Sequence, residues 1–473
     1  MWTEPLDPST RVFRSQRPRK RPRTSCSSSG SALSEESPSS PILSSQGYKS
    51  VDSNEIPGSP DESSFQTDER IETEDRGVLN LKTYRDARRA LVPGSEPSRH
   101  ISHLTTLETH YLQYHTETAS RLIANLENDG NPLRALLVPR AMSSPLLLRA
   151  LCALSAIHLS NRAQEAQRAQ AAAVKYYVQT LGGIRAVLTD SPTKIFSEDI
   201  VLAVALVCKY EIVRGSVKQW TMHFNALQKL IINRGGFATL NRDVADFLAG
   251  FIKYAENMAR ITIPTHQIVG SADDLKVTKL DIYMGYTEEI IEICAEIAKL
   301  HSLHDHSELL SKVIKVDTAL RHWTYMSRPY IIPGGCTGER ISRLRMVADC
   351  FRDAAYLYLH ATLKRQADRA PFSAVVSVSA QEALQRLLSR VRQTRLDANC
   401  EYSALTFPLF IAGSESETRS DRDLVGQSLD NLRDHFGIGN VTRAKQLLGI
   451  LWETGTKNWL DMLEELQWEL NLA

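Results

Sequence analysis

The amino-acid sequence predicts an all-α protein, a large multi-helix domain preceded by a disordered N-terminal tail. From about His103 onward, apolar residues recur at the spacing of an amphipathic helix, and alternating runs of β-branched residues are scarce. Residues 1–97 are dominated by Ser, Pro, Glu, Asp and Arg, so they bury too little apolar surface to offset the entropy of ordering. The chain is therefore expected to divide into a tail at 1–97 and a helical domain at 98–473.

Charge is segregated within this tail. The run from Arg17 to Arg23 is strongly basic, whereas residues 61–75 are acidic and rich in serine. Nuclear import receptors read short basic runs, and a solubilising tail is the alternative interpretation. The candidate nuclear-localisation residues are Arg17, Arg19, Lys20, Arg21 and Arg23.

Three Ser-Pro dipeptides lie in the same tail. They begin at Ser37, Ser40 and Ser59. Phosphorylation there would add negative charge and alter partner binding, so these serines are candidate modification sites.

Several predicted helices have recognisable starts. Ser144 followed by Pro145 supplies an N-cap and a first-turn proline, and Ser197 precedes two acidic residues that suit the positive end of a helix dipole. Ser379 and Glu382 have the spacing of a capping box. These starts support the helical interpretation of the domain.

Helix ends are marked by glycine. Gly235-Gly236 and Gly437 each follow an apolar helical pattern and supply the left-handed residue that commonly closes a helix. We expect roughly a dozen helices without a fixed repeat. Residues 262–287, 327–337 and 368–377 are predicted as connections, some of them mobile.

Composition bounds the class of protein. Lys+Arg 56 against Asp+Glu 55 gives a formal charge of +1, without the positive excess typical of a nucleic-acid binder. The N-terminus lacks a signal-peptide layout, and the longest apolar run, Ile200 to Cys208, is too short to cross a bilayer. Seven scattered cysteines indicate reduced thiols and no disulfides. A soluble cytosolic or nuclear protein without a membrane partner is expected.

Common catalytic motifs are missing from the sequence: it has no phosphate-binding glycine loop, no G-x-S-x-G, no H-E-x-x-H and no C-x-x-C. Residues 301–306, with three histidines and an aspartate, are the best metal-like candidate, although a solvated helix end or loop is the interpretation we favour.

Two acidic pairs and two cysteines are the remaining candidates for chemistry. Asp273-Asp274 and Glu288-Glu289 lack the spacing of a magnesium-binding aspartate motif and are predicted to be surface charge. Cys152 and Cys208 lie in apolar helical patterns and are predicted to be core residues. We therefore expect no catalytic residue, no cofactor and no metal site in this chain.

The most recognisable stretch is Asn131-Pro132, followed by an apolar run at 146–159 that ends in His158-Leu159. Further blocks lie at 111–126, 171–177, 181–188, 199–213, 220–236, 407–415, 450–452 and Trp459. On these residues the chain resembles the regulatory domain of fungal zinc binuclear-cluster transcription factors, in the branch linked to amino-acid and nitrogen metabolism. Trp220, His223, Trp452 and Trp459 need no ligand to explain them and are predicted to pack in the core.

The sequence departs from that family at its N-terminus. The family reads DNA through six closely spaced cysteines that bind two zinc ions, whereas only Cys26 lies in the first hundred residues here. Either the protein works without its own DNA-binding module, or the sequence begins downstream of one. The basic run and serine-rich stretch resemble the linker that follows such a cluster, which favours the second explanation.

The resemblance implies a nuclear regulator of RNA polymerase II genes in metabolic or nitrogen-related control. Its expected partners are transcriptional co-regulators or a zinc-cluster protein, in a homo- or heterodimer. Contact with DNA would be indirect or made by a missing module. Zinc is expected only if an upstream cluster exists. The alternatives are a helical modulator or scaffold that does not bind DNA and, third, an all-α enzyme without a recognisable motif.

Overall fold

A computed structural model describes residues 104–162, 166–190, 196–263, 279–366, 368–455 and 458–472. These residues form helices and connections, with one isolated parallel bridge between Lys279 and Ile331 and no β-strand. The all-α prediction is therefore confirmed. The predicted tail, with its basic run and Ser-Pro dipeptides, lies outside the described residues.

Twelve of the seventeen α-helical segments in the described residues have ten residues or more, in agreement with the expected dozen helices. In chain order the segments are α1 (Thr106–Tyr114), α2 (Ser120–Leu122), α3 (Pro132–Ala135), α4 (Leu137–Ser143), α5 (Pro145–Ser160), α6 (Ala166–Asp190), α7 (Glu198–Arg214), α8 (Gln219–Arg234), α9 (Arg242–Thr262), α10 (Glu288–Lys299), α11 (His306–His322), α12 (Gly338–Lys364), α13 (Ala380–Gln393), α14 (Thr406–Glu415), α15 (Arg419–Phe436), α16 (Gly439–Thr454) and α17 (Trp459–Leu466).

The predicted helix starts are present, with two differences of detail. Ser144 caps α5 by accepting the Leu147 N–H, and Ser379 caps α13 by accepting the Glu382 N–H. The Glu382 carboxylate binds Arg386 one turn further on, so only half of the capping box is observed. Ser197 is the N-cap residue of α7 but makes no side-chain cap bond.

Glycine closes the helices where the sequence indicated it. Gly235 ends α8 and Gly437 ends α15, both with the left-handed backbone that a side chain would disfavour.

The first half of the domain is built around α5 and α7. Helix α5 contacts α1, α4, α6 and α7. Helix α7 is enclosed on all sides, because every residue from Ile200 to Val213 is buried. Helix α7 also contacts α9 and α16, which connects it to the second half.

The second half is organised by the 27-residue helix α12. It contacts α10, α11, α13 and α14. Helix α14 is apolar and buried from Thr406 to Gly413, and it packs on α15 and α16. Burial of this kind supplies most of the stability of a helical domain.

The predicted core aromatic residues lie as expected. Trp220 and Trp459 are fully buried, and His223 is buried. Trp452 packs against the core from a partly buried position and donates its ring N–H to the Gly413 carbonyl at 2.9 Å. None of the described helices combines the length and apolar character needed to cross a membrane.

Candidate functional site

The histidine-rich stretch at 301–306 runs from a 3₁₀ turn after α10, which contains His301, to His306, the first residue of α11. Asp305 caps α11 by accepting the Ser307 N–H at 3.0 Å, and His306 contacts Asp368 at 3.0 Å on the exposed surface. Across the ranges that the structure describes, no three His, Cys, Asp or Glu side chains are grouped as a metal site would need. By position, the stretch lies at a helix end and a connection.

The two predicted core cysteines are buried. Cys152 and Cys208 have no exposed surface. Burial raises the pKa of both thiols well above the ordinary range, which keeps them protonated and unreactive.

The recognisable stretch from residue 131 to 159 has a structural explanation. Asn131 caps α3 by accepting the Leu133 N–H at 3.0 Å, and its side-chain amide donates to the Ser120 carbonyl at 3.1 Å. The buried His158 ring lies between the Tyr114 hydroxyl, at 2.9 Å, and the Phe436 carbonyl, at 2.8 Å. These side chains hold helix ends together and leave no polar group directed at a ligand.

The prediction of surface charge was wrong for Glu288, and this correction locates the candidate site. Glu288 is 1% exposed and its neighbour Glu289 is partly buried. The other acidic pair, Asp273-Asp274, lies outside the described residues. Glu288 can be buried because two cations, Lys253 and Arg328, balance its negative charge. The connection after α11 covers it.

Helix α9 supplies the first cation. The Lys253 ammonium lies 2.5 Å from the Glu288 carboxylate and 2.7 Å from that of Glu292. Burial lowers the pKa of Lys253, but the bonds to both glutamates outweigh it, so the pKa is raised and the charge is retained.

The second cation comes from the connection at residues 325–333, which we call the anchored loop. The Arg328 guanidinium lies 3.0 Å from Glu288, 3.2 Å from Glu289 and 2.6 Å from Glu292. Burial lowers the pKa of Arg328, yet the hydrogen bond and charge of Glu292 and the charge of Glu288 raise it overall. One arginine thus joins the loop to three carboxylates on one helix.

Further contacts fix both ends of the anchored loop. The Tyr330 hydroxyl donates to Glu288 at 2.9 Å, and the Ile331 carbonyl accepts the Leu280 N–H at 3.0 Å. The ring of Tyr286 makes edge contacts with those of Tyr325 and Tyr330. The loop is consequently held in place at several points along its length.

Large apolar side chains project from this fixed support. Met326 is 82% exposed, Ile331 60% and Ile332 50%. Several exposed apolar groups grouped on one ordered segment can form a protein-binding patch, whereas single exposed apolar residues are common on any protein. These side chains are available for contact with an apolar surface of another protein.

Sequence reasoning predicted this connection but missed its anchoring. The available signal was the i, i+4 spacing of Glu288 and Glu292 on one helix face, with Arg328 as the one charged residue of the anchored loop. None of the candidate residues in the tail can be placed relative to this site, because residues 17–23, Ser37, Ser40 and Ser59 lie outside the described residues.

The family model described as fungal specific transcription factor domain matches residues 110–473. No curated protein and no solved structure matches the chain.

Proposed function

Because this chain belongs to the fungal-specific transcription factor domain family, it is a transcription regulator, and we propose that it acts in the nucleus on RNA polymerase II genes. The observation that carries the proposal is the match over residues 110–473, which includes nearly all of the helical domain. Metabolic or nitrogen-related genes are the proposed targets. The tail at 1–97 would carry the import signal, and the domain at 98–473 would carry regulation.

The route to DNA is part of the proposal. The cysteines of this chain are scattered singly, and a zinc cluster needs six that are closely spaced. Zinc and base recognition would therefore come from an upstream module or from a zinc-cluster partner in a homo- or heterodimer. Saturable binding of the purified chain to an operator without a partner would contradict this part of the proposal.

We propose that the anchored loop contacts a co-regulator protein through an apolar surface on that partner. Met326, Ile331 and Ile332 would enter the interface, while Arg328 and Glu288 hold the loop in position. A prepositioned loop loses little conformational entropy on binding, which favours affinity.

A reporter assay tests the regulatory function. The full chain is fused to a heterologous DNA-binding module in fungal cells, and transcription is compared with the module alone. The proposal predicts a change in reporter transcription with the fused chain. An unchanged reporter at normal protein levels would contradict a regulatory role.

The loop is tested in the same assay with a triple variant, Met326→Ser, Ile331→Ser and Ile332→Ser. We expect loss of most of the reporter effect, because the interface loses its apolar groups while the backbone contacts remain. The matched control replaces three other exposed apolar residues with serine: Val174, Val178 and Met222, which are 48%, 59% and 61% exposed. Equal effects of the two triple variants would refute a specific role for the anchored loop.

The basic run is tested by imaging. Replacing Arg17, Arg19, Lys20, Arg21 and Arg23 with glutamine in a fluorescently labelled full chain should abolish nuclear accumulation. Replacing Ser37, Ser40 and Ser59 with alanine is the second arm, since phosphorylation there would alter partner binding and leave import intact. Unchanged nuclear accumulation after loss of the basic run would exclude it as the import signal.

A further inference from the structure

The anchored loop carries one side of the parallel bridge. Ile331 pairs with Lys279 in this bridge, and the Ile331 carbonyl accepts the Leu280 N–H at 3.0 Å. Pro329 and Pro333 flank the paired residue, and a proline has no N–H to donate to a further strand. The pairing geometry is therefore confined to residues 330–332, which the chain before α10 holds along one edge.

The opposite edge of residues 330–332 is open. Successive residues of an extended chain direct their backbone N–H and carbonyl groups to opposite edges, so those of Tyr330 and Ile332 face away from Lys279. Among the described residues, no backbone group pairs with the N–H or the carbonyl of Ile332. Backbone groups on an exposed edge are a template for pairing with another chain.

The side chains of this segment are exposed on both of its faces. Adjacent side chains of an extended chain point to opposite faces, and Ile331 and Ile332 are 60% and 50% exposed. A helix or a flat surface of a partner covers only one of these faces. An added strand, in contrast, places its own alternating side chains beside both of them.

Cations lie at the rim of the segment. Lys279, directly opposite Ile331 in the bridge, is exposed. Arg345 is also exposed, and its guanidinium carbon lies 5.4 Å from the centroid of the Tyr325 ring in the same loop. The three glutamates that bind the loop are held by cations of the domain itself. The charge at the rim favours a partner segment that carries acidic residues.

We propose that the anchored loop binds a co-regulator by accepting an extended segment of that protein as an additional strand beside residues 330–332. The backbone of the partner pairs with the open groups of Tyr330 and Ile332, which supplies affinity. The partner segment is a short apolar run, whose side chains pack beside the two isoleucines on both faces. Acidic residues flank this run and lie near Lys279 and Arg345.

This inference rests on the proposed contact between the anchored loop and a co-regulator, and it adds the form in which the partner binds. The two fail separately. If the triple serine variant loses the reporter effect but no strand pairing is found in solution, the contact stands and the added strand is rejected. If that variant keeps the full reporter effect, the contact itself is rejected, even where a peptide pairs with the loop in solution.

Peptide binding to the purified full chain tests the added strand. The probe is a fluorescently labelled peptide with a run of valine and isoleucine between aspartates, followed by fluorescence anisotropy, and amide hydrogen exchange locates it on the protein. We expect saturable binding with slowed exchange at residues 330–332.

Three control peptides define the mode of binding. The same peptide with N-methyl groups throughout its apolar run should not bind, because its backbone cannot pair. The same peptide with lysines in place of aspartates should bind about tenfold more weakly, because it meets Lys279 and Arg345 with like charge. A helical peptide of the same apolar content represents a partner that packs as a helix, and its binding at the loop in preference to the extended peptide would overturn the proposal.

Two substitutions at residue 332 separate backbone pairing from apolar contact. Ile332→Pro removes the open N–H and should abolish binding, while Ile331, as the residue before a proline, still favours the extended conformation of the bridge. Ile332→Thr keeps the N–H and the β-branched shape and should only weaken binding, by about tenfold. Thermal unfolding reports whether each variant is folded, and if Ile332→Pro is not, the N-methylated peptide decides. Absence of saturable binding by the aspartate peptide, binding that survives N-methylation, or binding without slowed exchange at residues 330–332 would each overturn the proposal.

Discussion

His158 joins three helices through one imidazole ring. It lies on α5, contacts the Tyr114 hydroxyl at the end of α1, and reaches the Phe436 carbonyl at the end of α15. Burial lowers its pKa to about 3, so the ring is neutral. A neutral ring donates from one nitrogen and accepts at the other, which matches a carbonyl on one side and a hydroxyl on the other.

Replacing this histidine should therefore destabilise the whole domain. For His158→Ala we expect a loss of about 2–4 kcal/mol, since both hydrogen bonds and the packing of the buried ring are lost and the Phe436 carbonyl loses its ring partner. Urea unfolding followed by circular dichroism measures it. The control is His322→Ala at an exposed position, where a change within about 0.5 kcal/mol is expected. Similar midpoints for the two variants would contradict the role given to His158.

At the scale of elements, α7 and α16 approach so closely that glycine is needed between them. A Cβ built on Gly439 would lie 2.6 Å from the backbone carbonyl carbon and oxygen of Arg214. The reciprocal contact exists at Gly215, where a Cβ would lie 2.6 Å from the Gly439 carbonyl oxygen. Backbone atoms cannot rotate away as a side chain can, so the helices would have to separate.

A pair of glycine substitutions on α16 tests this approach. Gly439→Ala should cost about 3 kcal/mol or prevent folding, because the added methyl meets backbone. Gly449→Ala, at a position with open space around the added Cβ, should stabilise by about 0.5–1 kcal/mol through its helix propensity. Thermal unfolding of the two variants should shift in opposite directions. A stabilising effect at Gly439 would mean that the two helices are further apart.

Helix starts and ends could be predicted from the sequence, whereas the burial of charged side chains could not. The cap at Ser144 and the closing glycine Gly235 depend on neighbours within a few residues, so local patterns were sufficient. The burial of Glu288 depends on Lys253 and on Arg328, whose positions only the tertiary fold brings together. For the same reason the sequence could not indicate that Lys209 packs on Tyr283.

At the scale of the molecule, buried neutral histidines make stability depend on pH. Burial lowers the pKa of His115 to about 4, of His158 to about 3 and of His223 to about 4. Between pH 6.5 and 4 the unfolded chain binds more protons than the folded one, so stability falls as pH falls. Asp281 acts in the opposite direction, because burial raises its pKa to about 6 and its contribution is lost as pH rises.

The expected net result is lower stability in mild acid. Each histidine contributes roughly 2 kcal/mol of loss between pH 7.5 and 5, and Asp281 offsets only part of the sum. Urea unfolding at the two pH values measures the difference. His223→Gln should reduce the pH dependence if the variant stays folded. A free energy of unfolding that is unchanged or higher at pH 5 would contradict this account.

The segment after α17 is hydrogen-bonded to α8 and α9, more than two hundred positions earlier in the chain. The Trp220 ring nitrogen donates to the Glu469 carbonyl at 2.5 Å, across 249 positions, and the Thr262 hydroxyl donates to the Leu470 carbonyl at 2.5 Å. During synthesis, α8 and α9 leave the ribosome long before residues 469 and 470 are made. Until then, the large side chain of Trp220 remains exposed to water or bound to a chaperone. A chain that stops before residue 469 lacks both carbonyl partners, so the Trp220 ring and the Thr262 hydroxyl would stay open to chaperone binding.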